Sequence, residues 1–100
     1  MLVAVDFDQT ITEHELGWLE VIKTMTQVGM RVIVVTFRQP TCDPHELDWL
    51  RPHVEAVLFT GQRNKAQFCK DKGFNVDVWV DDTPMSVTHD YINWKWELPS

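Results

Sequence analysis

The stretch LVAVDFDQT, residues 2–10, decides the fold, because an apolar run leads directly into two aspartates. The run LVAV has the length and the β-branched content of a strand that is covered on both faces. Asp6 and Asp8 therefore follow its carboxyl end. If extended geometry continues, their side chains point the same way about 7 Å apart, and Phe7 points to the opposite face. Two carboxylates that share one space require a cation beside them or a proton on one of them.

Three further apolar runs predict strands at residues 32–35, 56–59 and 76–80. Helices are predicted between them, from His14 to Gly29, from Asp43 to Leu50 and from Arg63 to Lys72. The first has apolar residues at helical spacing, at Leu16, Leu19, Ile22, Met25 and Val28. The second has an N-cap aspartate before Pro44, and the third stops at Gly73. Thr83 and Pro84 predict a turn or a short helix after the fourth strand.

The alternation of strands and helices predicts an α/β fold. It indicates right-handed crossovers and an open parallel sheet with helices on both faces, a three-layer Rossmann-like arrangement. The length of 100 residues predicts a single domain spanning residues 1–100. Near the end, Ile92, Trp94, Trp96 and Leu98 alternate with polar residues, which predicts a final edge strand. Its apolar face either packs on the core, which we favour, or forms a contact in a homo-oligomer.

Composition limits the class of function. Hydrophobic residues make up 44% and charged residues 24% of the chain, as in soluble globular proteins. The net charge of −6 disfavours binding of long nucleic acid, which needs a basic surface. Cys42 and Cys69 lack metal-site or redox spacing, so we expect reduced thiols and a cytoplasmic protein. No apolar run approaches the ~20 residues of a membrane span, and we expect neither a membrane segment nor a leader.

Polar residues follow each predicted strand, at the edge where α/β proteins bind ligands. Asp6 is a candidate nucleophile toward phosphorus, and Asp8 is a candidate general acid and base. A carboxylate oxygen of Asp6, the backbone carbonyl of Asp8 and a carboxylate oxygen of Asp81 suit a hard cation such as Mg²⁺. The hydroxyl of Thr36 and the ammonium of Lys65 supply donors for a phosphoryl group.

Arg38, two residues after Thr36, has two interpretations from the sequence. Its guanidinium either binds a substrate phosphate or forms a surface salt bridge. Each residue of the set also has an ordinary structural interpretation, such as a cap, a strand end or a solvated charge. Four such features meet at one edge, namely Asp6 with Asp8, Thr36, Lys65, and Asp81 with Asp82, and their coincidence favours the functional interpretation.

The sequence resembles the haloacid dehalogenase superfamily of phosphatases from Leu2 to about Pro84. DFDQT is similar to its first motif, VIVVT to its second, the lysine of RNKAQF to its third and WVDD to its fourth. The resemblance implies Asp6 as nucleophile, Asp8 as acid and base, and Thr36 and Lys65 as phosphate-binding residues. It also implies Mg²⁺ on Asp6 and Asp8 together with Asp81 or Asp82.

Two departures from the family pattern concern the substrate. Gln9 stands where family members often have glycine, which alters the approach of the backbone to the phosphate, and Gln9 is a predicted substrate-binding residue. The chain also leaves no room for a cap domain, with only three residues, Ile11 to Glu13, between the first motif and the first predicted helix. An uncapped site is open to solvent. The sequence therefore predicts a phosphorylated substrate but does not indicate its chemical class.

These residues suggest three candidate functions. The first is a Mg²⁺-dependent phosphatase that acts through an aspartyl phosphate. The second is a signalling receiver, which the sequence disfavours because the third strand runs AVLFTGQ and lacks the aspartate that accepts the phosphate. The third is a non-catalytic member of the same superfamily that keeps the cation and phosphate site to bind a partner.

Overall fold

A computed structural model describes residues 1–41 and 45–91, which form an α/β domain with a parallel sheet. In chain order the elements are β1 (Leu2–Val5), α1 (Glu15–Gln27), β2 (Arg31–Thr36), β3 (Ala56–Phe59), α2 (Lys65–Asp71), β4 (Val78–Val80) and α3 (Met85–Thr88), with 3-10 turns at Ile11–Glu13 and Arg51–His53. The predicted α/β class and the predicted parallel sheet are confirmed. The predictions for Cys42, for the start of the second helix at Asp43 and Pro44, and for the edge strand over residues 92–98 lie outside the described residues.

The strands are ordered β3-β2-β1-β4, and every pair is parallel. Strand β1 lies inside the sheet, and all four of its residues are buried. Its register aligns Val5 with Val34 of β2 and with Val80 of β4. Because the strands are parallel, their carboxyl ends meet at one edge of the sheet. The polar residues that the sequence predicts for the site follow the strands at this edge.

Alternate residues of β1 and β2 pack into two apolar clusters on opposite faces of the sheet. The first cluster contains Val3, Val5, Phe7, Ile11, Ile22, Val32, Val34, Leu47 and Leu50, and the second contains Leu2, Ala4, Ile33, Val35 and Cys69. Helix α1 contributes Ile22 to the first cluster, and helix α2 contributes Cys69 to the second. The two central strands are therefore covered on both faces, as their unbroken apolar runs predict.

Helix α1 matches its predicted position but not its predicted apolar face. Ile22 is fully buried, whereas Leu16 is 81% and Val28 is 70% exposed. A spacing of three residues falls about 60° short of a full turn, so Leu16 and Val28 lie roughly 120° around the helix from Ile22. Helix α1 has 13 residues, and no helix in the described ranges has the length and apolar content to span a bilayer.

The predicted helix ending at Leu50 is wrong over its described part. Residues 45–50 form turns that lead into the 3-10 turn Arg51–His53. The backbone N–H groups of Asp48, Leu50 and Arg51 each donate to the carbonyl three residues earlier, not four. This tighter winding is that of a 3-10 helix. It buries both Leu47 and Leu50, which is what the apolar spacing in this segment requires.

The third predicted helix and the fourth predicted strand are shorter in the structure. Helix α2 begins at Lys65, two residues after the predicted start, because Asn64 is its N-cap and accepts a hydrogen bond from the Gln67 N–H at 2.8 Å. Strand β4 covers only Val78–Val80. Just before it, the side chain of Asp77 accepts a hydrogen bond from the Leu2 N–H at 2.7 Å, which joins the start of β1 to this edge of the sheet.

Replacing Ile22 with alanine should lower the free energy of unfolding by about 2–4 kcal/mol, because the side chain is fully buried in the first cluster. Val21→Ala is the matched control, since that side chain is adjacent in α1 but 46% exposed, and its effect should stay within about 0.5 kcal/mol. Urea unfolding followed by circular dichroism measures both variants. Equal losses would contradict this packing of α1.

Candidate active site

The sheet register brings two acidic residues side by side. Val5 pairs with Val80, and the Asp6 N–H continues the ladder by donating to the Val80 carbonyl at 2.9 Å. Asp6 and Asp81 therefore leave neighbouring strands at the same level. Asp6 is buried, with 7% of its surface exposed. Two adjacent carboxylates in such a place require compensation by positive charge.

The ammonium of Lys65 provides this compensation. Its Nζ donates to Asp6 Oδ1 at 2.7 Å and to Asp81 Oδ2 at 2.6 Å. Lys65 is only 1% exposed, which is rare for a lysine unless it is paired. It is the first residue of α2 and lies four residues before Cys69, so both side chains lie on the helix face that packs against the sheet. The sequence therefore predicts the lysine at this edge but not its burial between two acids.

Helix α3 and the turn before it hold Asp81 in place. Ser86 Oγ donates to Asp81 Oδ2 at 3.0 Å, and the Thr83 N–H donates to Asp81 Oδ1 at 2.9 Å. Ser86 is buried and lies in the first turn of α3. Ser86 is not among the site residues predicted from the sequence. The available signal was a small polar residue five positions after the first acid of a pair, where a following helix turns back toward the strand end.

Asp82 completes a cluster of three carboxylates with Asp6 and Asp81. One carboxylate oxygen from each lies within 4.8 Å of the others, an arrangement that suits a cation. The Thr10 hydroxyl lies 3.4 Å from both Asp6 Oδ2 and Asp82 Oδ1 and bridges the first strand end to the fourth. Three carboxylates against the single ammonium of Lys65 leave a charge of about −2 on the cluster when all are ionised.

This excess of negative charge affects the protonation of Asp6. Burial, and next a side-chain hydrogen bond with Asp82, raise the pKa of Asp6 from 3.8 to about 7, although Lys65 acts in the opposite direction. The same hydrogen bond with Asp6 lowers the pKa of Asp82. The pair therefore shares a proton near neutral pH, with Asp6 as the donor. A bound divalent cation would remove the need for this proton.

A cavity of about 110 Å³ opens over the cluster, with space for about three or four water molecules. Its lining consists of Asp6, Asp8, Gln9, Phe37, Lys65, Asp81, Asp82, Thr83 and Ser86. Six of the eight site residues singled out from the sequence line this cavity. Thr36 and Arg38 do not.

Arg38 is bound to acids of this chain. Its Nε and Nη2 donate to the two carboxylate oxygens of Asp8 at 2.9 and 2.7 Å, and its Nη1 donates to Glu46. The guanidinium carbon also lies 5.3 Å from the centre of the Phe7 ring. The hydrogen bonds to Asp8 are the main cause that raises the pKa of Arg38 above its ordinary value. Of the two interpretations from the sequence, the ion pair is the one present, and a phosphate contact stays a prediction.

Thr36 and Gln9 differ in their relation to the cavity, which Gln9 lines and Thr36 does not. Thr36 is fully buried, and its Oγ1 accepts a hydrogen bond from the Arg38 N–H at 3.3 Å. Its neighbour Val35 packs on the cluster below α2, so strand alternation directs Thr36 to the opposite face. Gln9 has a φ of +62°, a left-handed backbone that glycine adopts without strain. Its N–H donates to Thr12 Oγ1 at 2.9 Å and is thus already used within the loop.

Asp6 should make the stability of the metal-free protein fall as pH rises. The pKa of Asp6 is about 7 in the folded protein, whereas 3.8 is the ordinary value that applies to the unfolded chain. Between these two pH values the folded state therefore binds more protons than the unfolded state. The free energy of unfolding of the wild type, relative to that of Asp6→Asn, should fall by about 3 kcal/mol from about pH 4.5 to about pH 8.

Urea unfolding in the presence of a chelator measures this difference. Asp71→Asn is the control, because Asp71 is an exposed residue of α2 and should leave the pH dependence as in the wild type. Parallel pH profiles for the wild type and Asp6→Asn would contradict the shared proton in the carboxylate cluster.

Neither a family model nor a curated protein nor a solved structure matches this chain. A functional assignment therefore rests on the residues themselves. These are the carboxylates that follow β1 and β4, the buried ammonium between them, and the small cavity above.

Proposed function

We propose that this chain is a Mg²⁺-dependent phosphomonoesterase that acts through an aspartyl phosphate on Asp6. The fold that goes with this proposal is the uncapped, three-layer Rossmann-like domain of the haloacid dehalogenase superfamily. The observation that carries it is the ion pair of Lys65 with Asp6 and Asp81, beside the further carboxylate of Asp82. Buried acids around one ammonium are costly to a fold, and functional sites are where such costs are expected.

The donor set suits magnesium. Mg²⁺ prefers oxygen ligands at about 2.0–2.1 Å, so ligand oxygens around it lie about 3–4 Å apart. The oxygens of Asp6, Asp81 and Asp82 lie within 4.8 Å of one another, so small side-chain rotations bring them to that spacing. A bound Mg²⁺ would balance the charge of the cluster and that of an incoming phosphate. The carbonyl of Asp8 stays a predicted ligand.

The residues of the chain divide the work of hydrolysis. Lys65 fixes the rotation of the Asp6 carboxylate by holding Oδ1. A carboxylate oxygen of Asp6 then bonds to phosphorus as the bond to the ester oxygen breaks, and Asp8 protonates the leaving alcohol. In the second step Asp8 takes a proton from water, the water oxygen bonds to phosphorus, and the bond to Asp6 breaks. Phosphate leaves, and both carboxyl groups return to their starting state.

The size of the cavity bears on the substrate. About 110 Å³ accommodates a phosphoryl group and little else, so the rest of the substrate would lie in solvent. The substrate is therefore proposed only as a phosphorylated molecule with an exposed phosphate, and long nucleic acid stays disfavoured by the net charge of −6.

We also propose a cytoplasmic setting, which the buried free thiol of Cys69 supports. A homo-oligomer formed through the predicted edge strand stays a prediction from the sequence.

One contact favours the second candidate function, a non-catalytic module that binds the cation and phosphate. Both carboxylate oxygens of Asp8 accept hydrogen bonds from Arg38, so the proposed acid and base is engaged elsewhere. Hydrolysis requires this pair to open, whereas binding does not. The two functions therefore differ in whether Asp6 ever becomes phosphorylated.

Wild-type protein with Mg²⁺ should release 4-nitrophenol from 4-nitrophenyl phosphate, and Asp6→Asn should lower kcat at least about a thousandfold, because it removes the nucleophile. Asp71→Asn is the matched control and should retain wild-type activity. Equal inactivity of the wild type and Asp6→Asn, across a broad panel of phosphomonoesters, would contradict hydrolysis.

Beryllium fluoride separates the two candidates, because it forms an adduct with a phosphorylatable aspartate and mimics the acyl phosphate. We expect a fluorine NMR signal of the adduct with wild-type protein and Mg²⁺, and none with Asp6→Asn. A wild-type protein that Mg²⁺ stabilises against thermal unfolding but that forms no adduct would favour the binding module.

A further inference from the structure

The segment that follows α3 returns to the loop in front of Lys65. Asp90 Oδ1 accepts hydrogen bonds from the Asn64 N–H at 2.6 Å and from Asn64 Nδ2 at 3.2 Å. Beside it, the Tyr91 N–H donates to the Gln62 carbonyl at 2.9 Å. Asp90 lies 26 positions after Asn64 in the chain. Asp90 and the next residue, Tyr91, therefore hold the loop that leads into α2.

Asn64 connects Asp90 to the helix. Its Nδ2 donates to Asp90, and its Oδ1 accepts from the Gln67 N–H at 2.8 Å as the N-cap of α2. An ionised carboxylate accepts hydrogen bonds only, so Asp90 selects the amide orientation in which Oδ1 faces the helix. Asp90 therefore determines both the backbone position of the cap and the direction of its side chain.

Lys65 depends on this anchorage for three reasons. Helix α2 has only 7 residues, and a helix of that length has little stability of its own. The loop before it has left-handed backbone at two consecutive residues, Gly61 and Gln62, with φ of +63° and +68°. Lys65 is the first residue of the helix, where fraying begins. Loss of the first turn would withdraw the ammonium from the cluster.

We propose that Asp90 is a positioning residue for Lys65. It holds Asn64 and, through this cap, the first turn of α2, so that the ammonium stays between Asp6 and Asp81. The effect on turnover rests on the proposed function, whereas the placement of Lys65 does not. The carboxylate of Asp90 thus acts on the cluster through two residues and contacts none of its acids.

Acetylation of lysines by acetic anhydride, read out at each lysine by mass spectrometry, tests the placement without any assay of activity. In the wild type Lys65 should react slowly, because it is 1% exposed. Asp90→Ala should raise its rate about tenfold or more, since a hydrogen bond to a charged acceptor is lost and the first turn opens more often. Lys70, exposed in the same helix, should react as in the wild type.

Asp90→Asn is the conservative variant, because an amide oxygen still accepts from the Asn64 N–H. It should keep the slow reaction of Lys65, within about threefold of the wild type. If the protein hydrolyses phosphomonoesters, kcat should follow the same order, with Asp90→Ala reduced and Asp90→Asn retained.

An exchange of the two side chains is a sharper test. Asn64→Asp keeps a good N-cap but places a second carboxylate against Asp90, so it should expose Lys65 to acetylation as Asp90→Ala does. Combining Asn64→Asp with Asp90→Asn restores one amide and one carboxylate to the contact and should restore slow acetylation. Rescue by the exchange is not expected of two independent structural residues.

Three results would overturn the proposal. They are an unchanged acetylation rate of Lys65 in Asp90→Ala, a rise at Lys65 no larger than the rise in globally unfolded protein measured by urea unfolding, which indicates general loosening, and failure of the exchange to protect Lys65. Failure of the proposed function would give a different result. The protein would then show neither hydrolysis nor a beryllium fluoride adduct, but Lys65 would still be acetylated slowly in the wild type and in Asp90→Asn and faster in Asp90→Ala.

Discussion

The contact of the Lys65 ammonium with Asp6 and Asp81 is the interaction on which the rest of the site depends. The parallel register of β1 and β4 places both acids at adjacent strand ends with little access to solvent. Two neighbouring carboxylates in this position repel each other, and the ammonium offsets that repulsion. One ammonium between them offsets the cost of burial, and breaking such a pair leaves an uncompensated charge. The same contact joins α2 to the edge of the sheet, so the stability of this edge and the electrostatics of the cavity have a common origin.

Much of the framework could be predicted because buried parallel strands have a strong sequence signal. The strands β1 and β3 match their predicted ranges, and β2 extends its apolar run by one residue at each end. Once strand ends are known, the rule that parallel strands end at one edge places Asp6, Lys65 and Asp81 together. The identity of these residues could thus be predicted, whereas the partner of each required three-dimensional contacts.

The predictions that differ from the structure involve choices that local sequence leaves undecided. Residues 45–50 have helical spacing, yet burial of Leu47 and Leu50 is met by the tighter 3-10 winding. Arg38 turns to Asp8 and Glu46 because these acids are brought near it by the fold, and no motif encodes that encounter. Side-chain pairs between distant segments depend on packing, which is where propensity and spacing carry least information.

The charge of the cluster links proton binding, cation binding and chemistry. With three carboxylates and one ammonium, the site binds a proton on Asp6 in about half of the molecules at pH 7, because the pKa of Asp6 is about 7. A protonated carboxyl is a poor nucleophile, so under the proposed mechanism a cation that takes the place of this proton would also prepare Asp6 for attack. Asp8 presents the opposite situation, because its anion is held by Arg38 and must leave that pair to carry a proton. The two aspartates that open the sequence thus start from different states, since Asp6 shares the Lys65 ammonium with Asp81, whereas Asp8 is paired with the Arg38 guanidinium.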